Sequence, residues 1–257
     1  MNEKYISELI TKDFRIDGRK LDDYRKPIKI EYDISNNAEG SAKVTIGETE
    51  VVVGIKLGVG EPYPENPDEG SIIVTAELLP MSNPKFESGP PGKEANELAR
   101  IVDRGIRESK CLDFKKLGIK EGESCWMVFI DIYPLNDAGN LIDASALAAL
   151  AALKKCKIPK LDKDNKVVVG EYSKDKLVLT KEPVTVTVWS LKDKIFVDAL
   201  SEEEEAGEAR LTVAISEEGN INAMQKGGRK ALSIDDIDKM VKLAEIKSKE
   251  LRKILKW

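Results

Sequence analysis

An apolar strand that runs into a polar turn and then into an Ala/Leu helix narrows the fold of this chain more than any other feature. Residues 133–154 read Tyr-Pro-Leu-Asn-Asp-Ala-Gly-Asn-Leu-Ile-Asp-Ala-Ser-Ala-Leu-Ala-Ala-Leu-Ala-Ala-Leu-Lys. The strand ends at Pro134, the turn is built on Asn136, Asp137, Gly139 and Asn140, and a helix of about four turns begins near Asp143. The Ala-rich helix packs closely as a core element. Free backbone N–H groups and the helix dipole both point at such a turn, which can therefore hold an anion. No Lys, Arg, Ser or Thr stands in it to grip one, so it reads either as a phosphate site or as what is left of one.

The 257 residues can bury a full core, as one large domain or two coupled halves. Hydrophobic content is 41% and no apolar run reaches membrane-spanning length, so no membrane partner is expected. The start, Met1-Asn2-Glu3-Lys4-Tyr5, lacks the regions of a signal peptide, and a cytoplasmic location is the expectation. The chain contains no histidine, which removes His general acid–base catalysis, Ser/His/Asp triads and His-ligated metals. Cys111, Cys125 and Cys156 show no metal-ligand spacing, and Cys125 and Cys156 sit in apolar settings that read as core. A net charge of −5 excludes a general nucleic-acid glue, so any RNA contact must come from a local basic patch or a basic partner. Abundant Lys, Glu and Ile, with Gln225 the only glutamine, suggest a thermophilic source.

Ile6, Leu9 and Ile10 predict a short amphipathic helix over 3–12. Strands are expected at 28–33, 41–46, 51–57 and 72–78, with 41–46 and 51–57 joined as a hairpin through Gly47-Glu-Thr-Glu50. Proline-rich loops at 59–71 and 80–93 are long enough to be functional or to bind a partner. Helix 94–110, strand 125–133 and helix 143–155 follow. Further strands are expected near 166–170, 177–180, 184–190, 195–198, 209–216 and 220–225, then a final helix over 233–255. The pattern is α+β, two β-rich halves with helices packed between them.

In helix 94–110, Leu98, Ile101, Val102 and Ile106 form one apolar face. Arg100, Arg104 and Arg107 fall on the other side and can form a row of phosphate clamps, because each guanidinium fork fits a phosphate. The plainer reading is a solvated face paired with Glu97, Asp103 and Glu108; spacing alone favours it, though Lys85 and Lys93 nearby raise the phosphate reading. The run Glu202–Glu205 reads as a solvated turn rather than a metal site. Asp137 and Asp143 can hold Mg²⁺, yet helix capping by Asp143 is the simpler account. Asp131 and Asp198 read as edge or turn residues, and Gly227-Gly-Arg-Lys230 as a basic flexible linker.

Taken together these segments resemble the RNase PH family of phosphorolytic exoribonucleases. The markers run in order from residue 15 to residue 228: Arg15-Ile-Asp-Gly-Arg19 with Arg25-Lys-Pro27; Gly40-Ser-Ala-Lys-Val-Thr-Ile-Gly47; Glu94-Ala-Asn-Glu-Leu-Ala-Arg-Ile-Val-Asp-Arg-Gly-Ile-Arg107; Asn136-Asp-Ala-Gly139; and Gln225-Lys-Gly-Gly228. Within the family the chain is most similar to the branch of non-catalytic ring subunits of the archaeal exosome. The resemblance implies a single RNase PH-like domain over 1–257. It would comprise a helix and connector at 1–27, halves at 28–158 and 159–232, and a C-terminal helix at 233–257.

The resemblance also implies where chemistry is missing. Active members carry Gly-Thr-Arg or Gly-Ser-Arg before the Ala-rich helix, groups that hold the attacking phosphate; here the match is Gly139-Asn140-Leu141. The aspartate that active members place in a late strand aligns with Arg210, which cannot act as a base or bind Mg²⁺. Leu141 and Arg210 thus mark lost catalytic positions, and the chain is expected to catalyse nothing alone. Phosphate and Mg²⁺ would belong to the active site of a homologous catalytic ring subunit, and this chain would bind neither. Arg100, Arg104 and Arg107 would hold single-stranded RNA against that site, with Arg104 foremost, and RNA-binding cap subunits would complete the complex. Two alternatives stay open: a self-sufficient phosphorolytic enzyme with a displaced site, and a scaffold whose arginines make only surface ion pairs.

Overall fold

A computed structural model describes residues 3–255. Its elements run α1 (Glu3–Thr11), β1 (Ile28–Tyr32), β2 (Gly40–Ile46), β3 (Thr49–Gly60), β4 (Ser71–Ala76), α2 (Lys93–Ser109), β5 (Gly118–Lys120), β6 (Ser124–Asn136) and α3 (Leu141–Lys155). They continue with β7 (Lys157–Leu161), β8 (Val167–Lys176), β9 (Val184–Leu191), β10 (Lys194–Val197), α4 (Ser201–Ala206), β11 (Ala209–Ile215), β12 (Ile221–Gly228) and α5 (Ile234–Ile254).

Alternating apolar residues build the first sheet. Val51, Val53, Ile55 and Leu57 of β3 and Val128, Ile130 and Ile132 of β6 all turn inward and are buried. The strand order is β1-β2-β3-β6-β4, with β5 also paired to β6; β4 lies parallel to β6 and the rest pair antiparallel. The second sheet, β10-β9-β11-β12, is antiparallel throughout. Three helices fill the space between the sheets. Helix α3 touches β2 and β3 on one side and β9 on the other, α2 bridges β4 and β12, and α5 lies on β9, β11 and β1. One apolar cluster therefore runs from Val44 and Ile130 through Leu147 and Leu150 to Val186 and Val213. Every residue of α3 from Asp143 to Leu153 is buried, as an Ala/Leu helix apolar on all sides must be. A smaller cluster of Ile6, Ile10, Trp189, Leu191, Phe196 and Ala199 seats α1 on the second sheet.

The α+β reading with helices between two β-rich layers holds, and so does the hairpin of β2 and β3. Its turn is tighter than expected: Ile46 pairs with Thr49, leaving only Gly47 and Glu48 outside the ladder. Gly47 has φ +60, and a Cβ there would run into the Arg25 side chain. The first proline-rich loop shrinks to 61–70 because β3 and β4 extend into it, and the second lengthens to 77–92 because β4 already ends at Ala76.

Several expectations need correcting. No strand forms at 177–180; Leu179 makes one isolated bridge to Leu112. Instead β8 runs on to Lys176 and pairs with β7, whose lysine-rich sequence carries little strand signal. The acidic run 202–205 forms α4 rather than a solvated turn, with Glu203 fully buried. Gly227 and Gly228 end β12 against Arg210 and Glu208, and the backbone N–H groups of Arg229 and Lys230 both donate to the Glu208 carbonyl at 3.0 Å, so this segment is no flexible linker. All three cysteines are buried, and burial pushes the thiols of Cys111 and Cys156 up to about 11 and about 12. Among the described residues no helix is long and apolar enough to cross a membrane. The last two residues of the segment expected over 233–257 lie outside the described residues.

Candidate functional site

The turn before α3 is held from both sides. The Thr49 hydroxyl donates to the Gly139 carbonyl (2.7 Å) and accepts from the Ala138 N–H (3.2 Å). The Arg25 guanidinium donates to the carbonyls of Ala138 (2.7 Å) and Gly139 (2.9 Å). Gly139 has φ +95, and a Cβ there would collide with the Ala199 carbonyl and the Leu200–Ser201 peptide. The turn is thus pressed against the segment that enters α4.

That segment supplies anions of the chain's own. Asn140, in the left-handed conformation with φ +60, is the N-cap of α3, and its side chain does not cap the helix. Its backbone N–H donates to Glu204 Oε1 at 2.9 Å, and its side-chain amide donates to Asp198 Oδ1 at 2.9 Å. One residue earlier, the Gly139 N–H donates to Asp137 Oδ1 at 2.9 Å. Carboxylates of the protein occupy the donors at which an incoming anion would have to bind. Burial pushes the Glu204 carboxyl up to about 7, with nearby Asp137 adding to the rise and the Asn140 hydrogen bond, Lys85 and Arg210 opposing it.

Asp198 is the hub of this region. It is fully buried, follows β10 at φ +49, and accepts from Arg25 Nη2 (2.8 Å), Arg25 Nε (3.0 Å), the Arg25 backbone N–H (2.6 Å) and Arg19 Nη1 (2.8 Å). Burial alone would raise its pKa; the Arg25 and Arg19 guanidiniums more than offset that and hold it below the usual carboxylate value. Arg15 lies over the Phe196 ring, donates to the carbonyls of Val197 and Asp198 at 2.8 Å, and forms a fully buried ion pair with Glu203. Asp198 therefore ties the N-terminal connector to α3 and α4, and the reading of it as an edge or turn residue is overturned. Asp131 does sit at the sheet surface, accepting from Thr75.

Asp143 is not the helix cap. It lies inside the first turn of α3, fully buried, and accepts from the Tyr24 hydroxyl at 2.7 Å. Burial pushes it up to about 7. Asp137 is engaged elsewhere, with Asn83 at 3.0 Å and Lys85 at 3.4 Å. With each carboxylate committed to separate partners, the Asp137/Asp143 pair does not fit Mg²⁺, and among the described residues no three or more acidic or thiol side chains are arranged so that they could hold a metal ion.

Leu141 opens α3 and packs, partly buried, against the main core. Arg210 projects from β11 to Glu97 of α2 at 2.6 Å and lies over the Trp189 ring. Glu97 is thus taken up by Arg210 and leaves the arginine row alone.

The row itself divides. Arg107 is clamped by Asp103 through two bonds (2.7 and 3.1 Å) and donates to the Ile72 carbonyl at 3.1 Å. The Asp103 hydrogen bond raises its pKa. Arg104 is exposed and, among the described residues, hydrogen-bonds only to Gln225, at 3.4 Å. Arg100 is exposed and makes no hydrogen bond or ion pair among the described residues. The ion-paired reading of the row is right for Arg107 and fails for Arg100 and Arg104.

Sequence reading missed Arg15, Arg19, Arg25, Asp198, Glu203 and Glu204 as one constellation. The only signal was the cluster of arginines at 15–25, whose partners lie far along the chain.

Comparison with known proteins adds the context of this geometry. Two family models match in succession: 3′ exoribonuclease family, domain 1, over residues 25–159, and domain 2 of the same family over residues 181–247. The exosome complex component Rrp42 of Methanocella arvoryzae is 46% identical over 251 residues, covering 98% of this chain and 94% of the relative. A chain in the Archaeoglobus fulgidus exosome with RNA bound to the active site superposes with a TM-score of 0.91 at 44% identity, covering 99% of this chain and 97% of that one. A chain of an archaeal exosome core gives a TM-score of 0.87 at 41% identity, over 99% and 96% of the two chains.

Proposed function

This chain belongs to the RNase PH family of 3′ exoribonucleases, and on that premise we propose that it is a non-catalytic ring subunit of an archaeal exosome. It assembles with a homologous catalytic subunit, as a trimer of heterodimers, in the cytoplasm. The complex degrades single-stranded RNA from the 3′ end by phosphorolysis, releasing nucleoside diphosphates, and RNA-binding cap subunits feed it. The partner's active site holds the phosphate and the Mg²⁺.

One observation carries the non-catalytic reading: the amides of the turn before α3 are already met by Asp137 and Glu204. Arg210, at the position of the family's aspartate, is spent on Glu97, and Leu141 is an apolar contact where active members carry a cation. Losing one charge-stabilising group costs roughly 10²–10³-fold in rate. The absence of both the phosphate holder and the acid, with carboxylates of the chain on the turn's amides, supports the reading that this subunit does not turn over.

The RNA role rests on Arg100 and Arg104, which are exposed and carry no ion pair among the described residues. Arg107, already half-satisfied by Asp103, takes a lesser part. The net charge of −5 fits an RNA grip confined to a narrow strip. The first test is native mass of the chain with and without its catalytic partner. A shift from small species to a six-subunit mass is expected; failure to co-assemble would remove the reading.

A further inference from the structure

The loop 61–70 has no role in anything described so far. It carries Tyr63 between Pro62 and Pro64, and the ring is 57% exposed. Its side chain makes no hydrogen bond and no ring contact among the described residues. The loop that presents it is nevertheless fixed. The Asn66 N–H donates to the Tyr63 carbonyl (2.9 Å), Glu69 N–H to Asn66 (3.2 Å), Gly70 N–H to Phe114 (2.9 Å) and Gly122 N–H to Pro67 (2.8 Å). Gly70 is packed so tightly that a Cβ would meet Leu117 and the Trp126 carbonyl. The ring is thus held out into solvent on a braced, proline-flanked loop.

Tyr63 lines a groove together with Arg107 and Lys110 at the end of α2 and with Lys115. Arg107 is close enough to feel the Tyr63 phenol electrostatically. The groove thus continues the arginine face of α2. Its charges cancel: Glu69, Glu108 and Asp113 line it as well, and Lys115 faces Asp68 at 3.5 Å. Such a surface has little net pull on phosphates, and what it offers is a π-face beside a guanidinium.

We propose that Tyr63 is a base-stacking platform for single-stranded RNA, receiving a nucleotide next to the stretch held by Arg100 and Arg104. This rests on the RNA-contacting reading above and extends it to a residue outside the arginine row. Stacking of a base on an aromatic side chain tolerates every base and depends little on salt, in contrast to phosphate contacts.

The test uses the complex reconstituted with its catalytic partner and short oligouridine or oligoadenine RNA. Tyr63→Ala should weaken RNA binding about fivefold or more, by the usual worth of one stacked base. Tyr63→Trp should restore it and Tyr63→Leu should not, and the dependence of affinity on salt should keep the wild-type slope. RNA carrying 5-iodouridine should crosslink to Tyr63 under light. Unchanged affinity in Tyr63→Ala, or full rescue by Tyr63→Leu, would overturn the proposal; so would loss of ring assembly in Tyr63→Ala, which would mark the loop as a subunit contact. An Arg100→Ala/Arg104→Ala complex measured alongside separates the two readings. If it binds RNA normally, the RNA role itself fails; if it binds weakly while Tyr63→Ala binds normally, only the stacking assignment fails.

Discussion

Two regions of this molecule offer groups that could hold an anion, the turn ahead of α3 and the arginine row along α2, and the fold treats them differently. At the head of α3 the turn is polar, rich in Asn, Asp and Gly, and could serve an anion; the fold closes it with Glu204, Asp137 and Asp198 and packs Gly139 against α4. Along α2 acids stand near all three arginines in sequence, yet only Arg107 is taken up by one. Arg100 and Arg104 are left to solvent. The difference teaches that a charge's availability, more than its presence, separates structural work from binding work. Where every donor meets an internal acceptor, a ligand must displace a bond to enter; where none does, it has only water to displace.

The largest expected effect breaks the closed region at its hub. Asp198→Ala leaves the buried Arg25 without its carboxylate and strips Arg19 of one of its two, Asp17 remaining, and should cost about 3–5 kcal/mol in denaturant unfolding. A loss under ~1 kcal/mol would show that the region is not held by these charges.

The next concerns Glu204. Its carboxyl is raised to about 7 from an ordinary 4.5, as Asp143 is to about 7 from 3.8. Between the ordinary values and about 7 the folded chain keeps protons that the unfolded chain releases. Stability from these groups therefore falls as pH climbs from about 4 to 7 and is lowest above 7. Asp198 acts oppositely: its depressed pKa supports the fold above the ordinary 3.8 and that support is lost as pH falls further. Glu204→Gln keeps an acceptor for the Asn140 N–H and removes the ionisation. It should raise stability by about 1–3 kcal/mol at pH 8, at roughly 1.4 kcal/mol per pH unit, and change little at pH 4. An equal effect at both pH values would contradict the assignment.

On the open side, Arg100→Ala/Arg104→Ala in the assembled complex should reduce affinity for single-stranded RNA about tenfold. The salt dependence of log affinity should become shallower by about 1.4, as expected for two lost phosphate contacts. The smallest effect belongs to Arg107→Ala, which should change RNA affinity about twofold and cost about 1 kcal/mol of stability, because the Ile72 carbonyl loses its donor. An Arg107 effect larger than that of Arg100 and Arg104 combined would invert the comparison.

What could be read from the chain beforehand follows the same division. The α2 face was legible because periodicity is local: Leu98, Val102 and Ile106 face inward and Arg100 and Arg104 outward, as their spacing requires. The Ala/Leu run of α3 was legible because its composition is a local signal too. The closed region was not, because Arg15 finds Glu203 188 residues away and Arg25 finds Asp198 173 residues away. No local pattern records such a pairing, so Asp198 passed for a turn residue and the acidic run for a solvated one. Asp143 was misplaced as a cap because α3 starts two residues earlier, at Leu141, which puts that carboxylate inside the helix against Tyr24. Strand β7 escaped because its lysines alternate with too few apolar residues to announce a strand.

The central claim is that this chain contributes grip and no chemistry. The most direct measurement is nucleoside diphosphate release from RNA, with phosphate and Mg²⁺ present, by a ring assembled from this chain and a partner whose catalytic aspartate has been replaced by asparagine. The account predicts an intact ring that binds RNA and releases no diphosphate above background. Phosphate-dependent release from that ring, abolished by a second change in this chain, would contradict it.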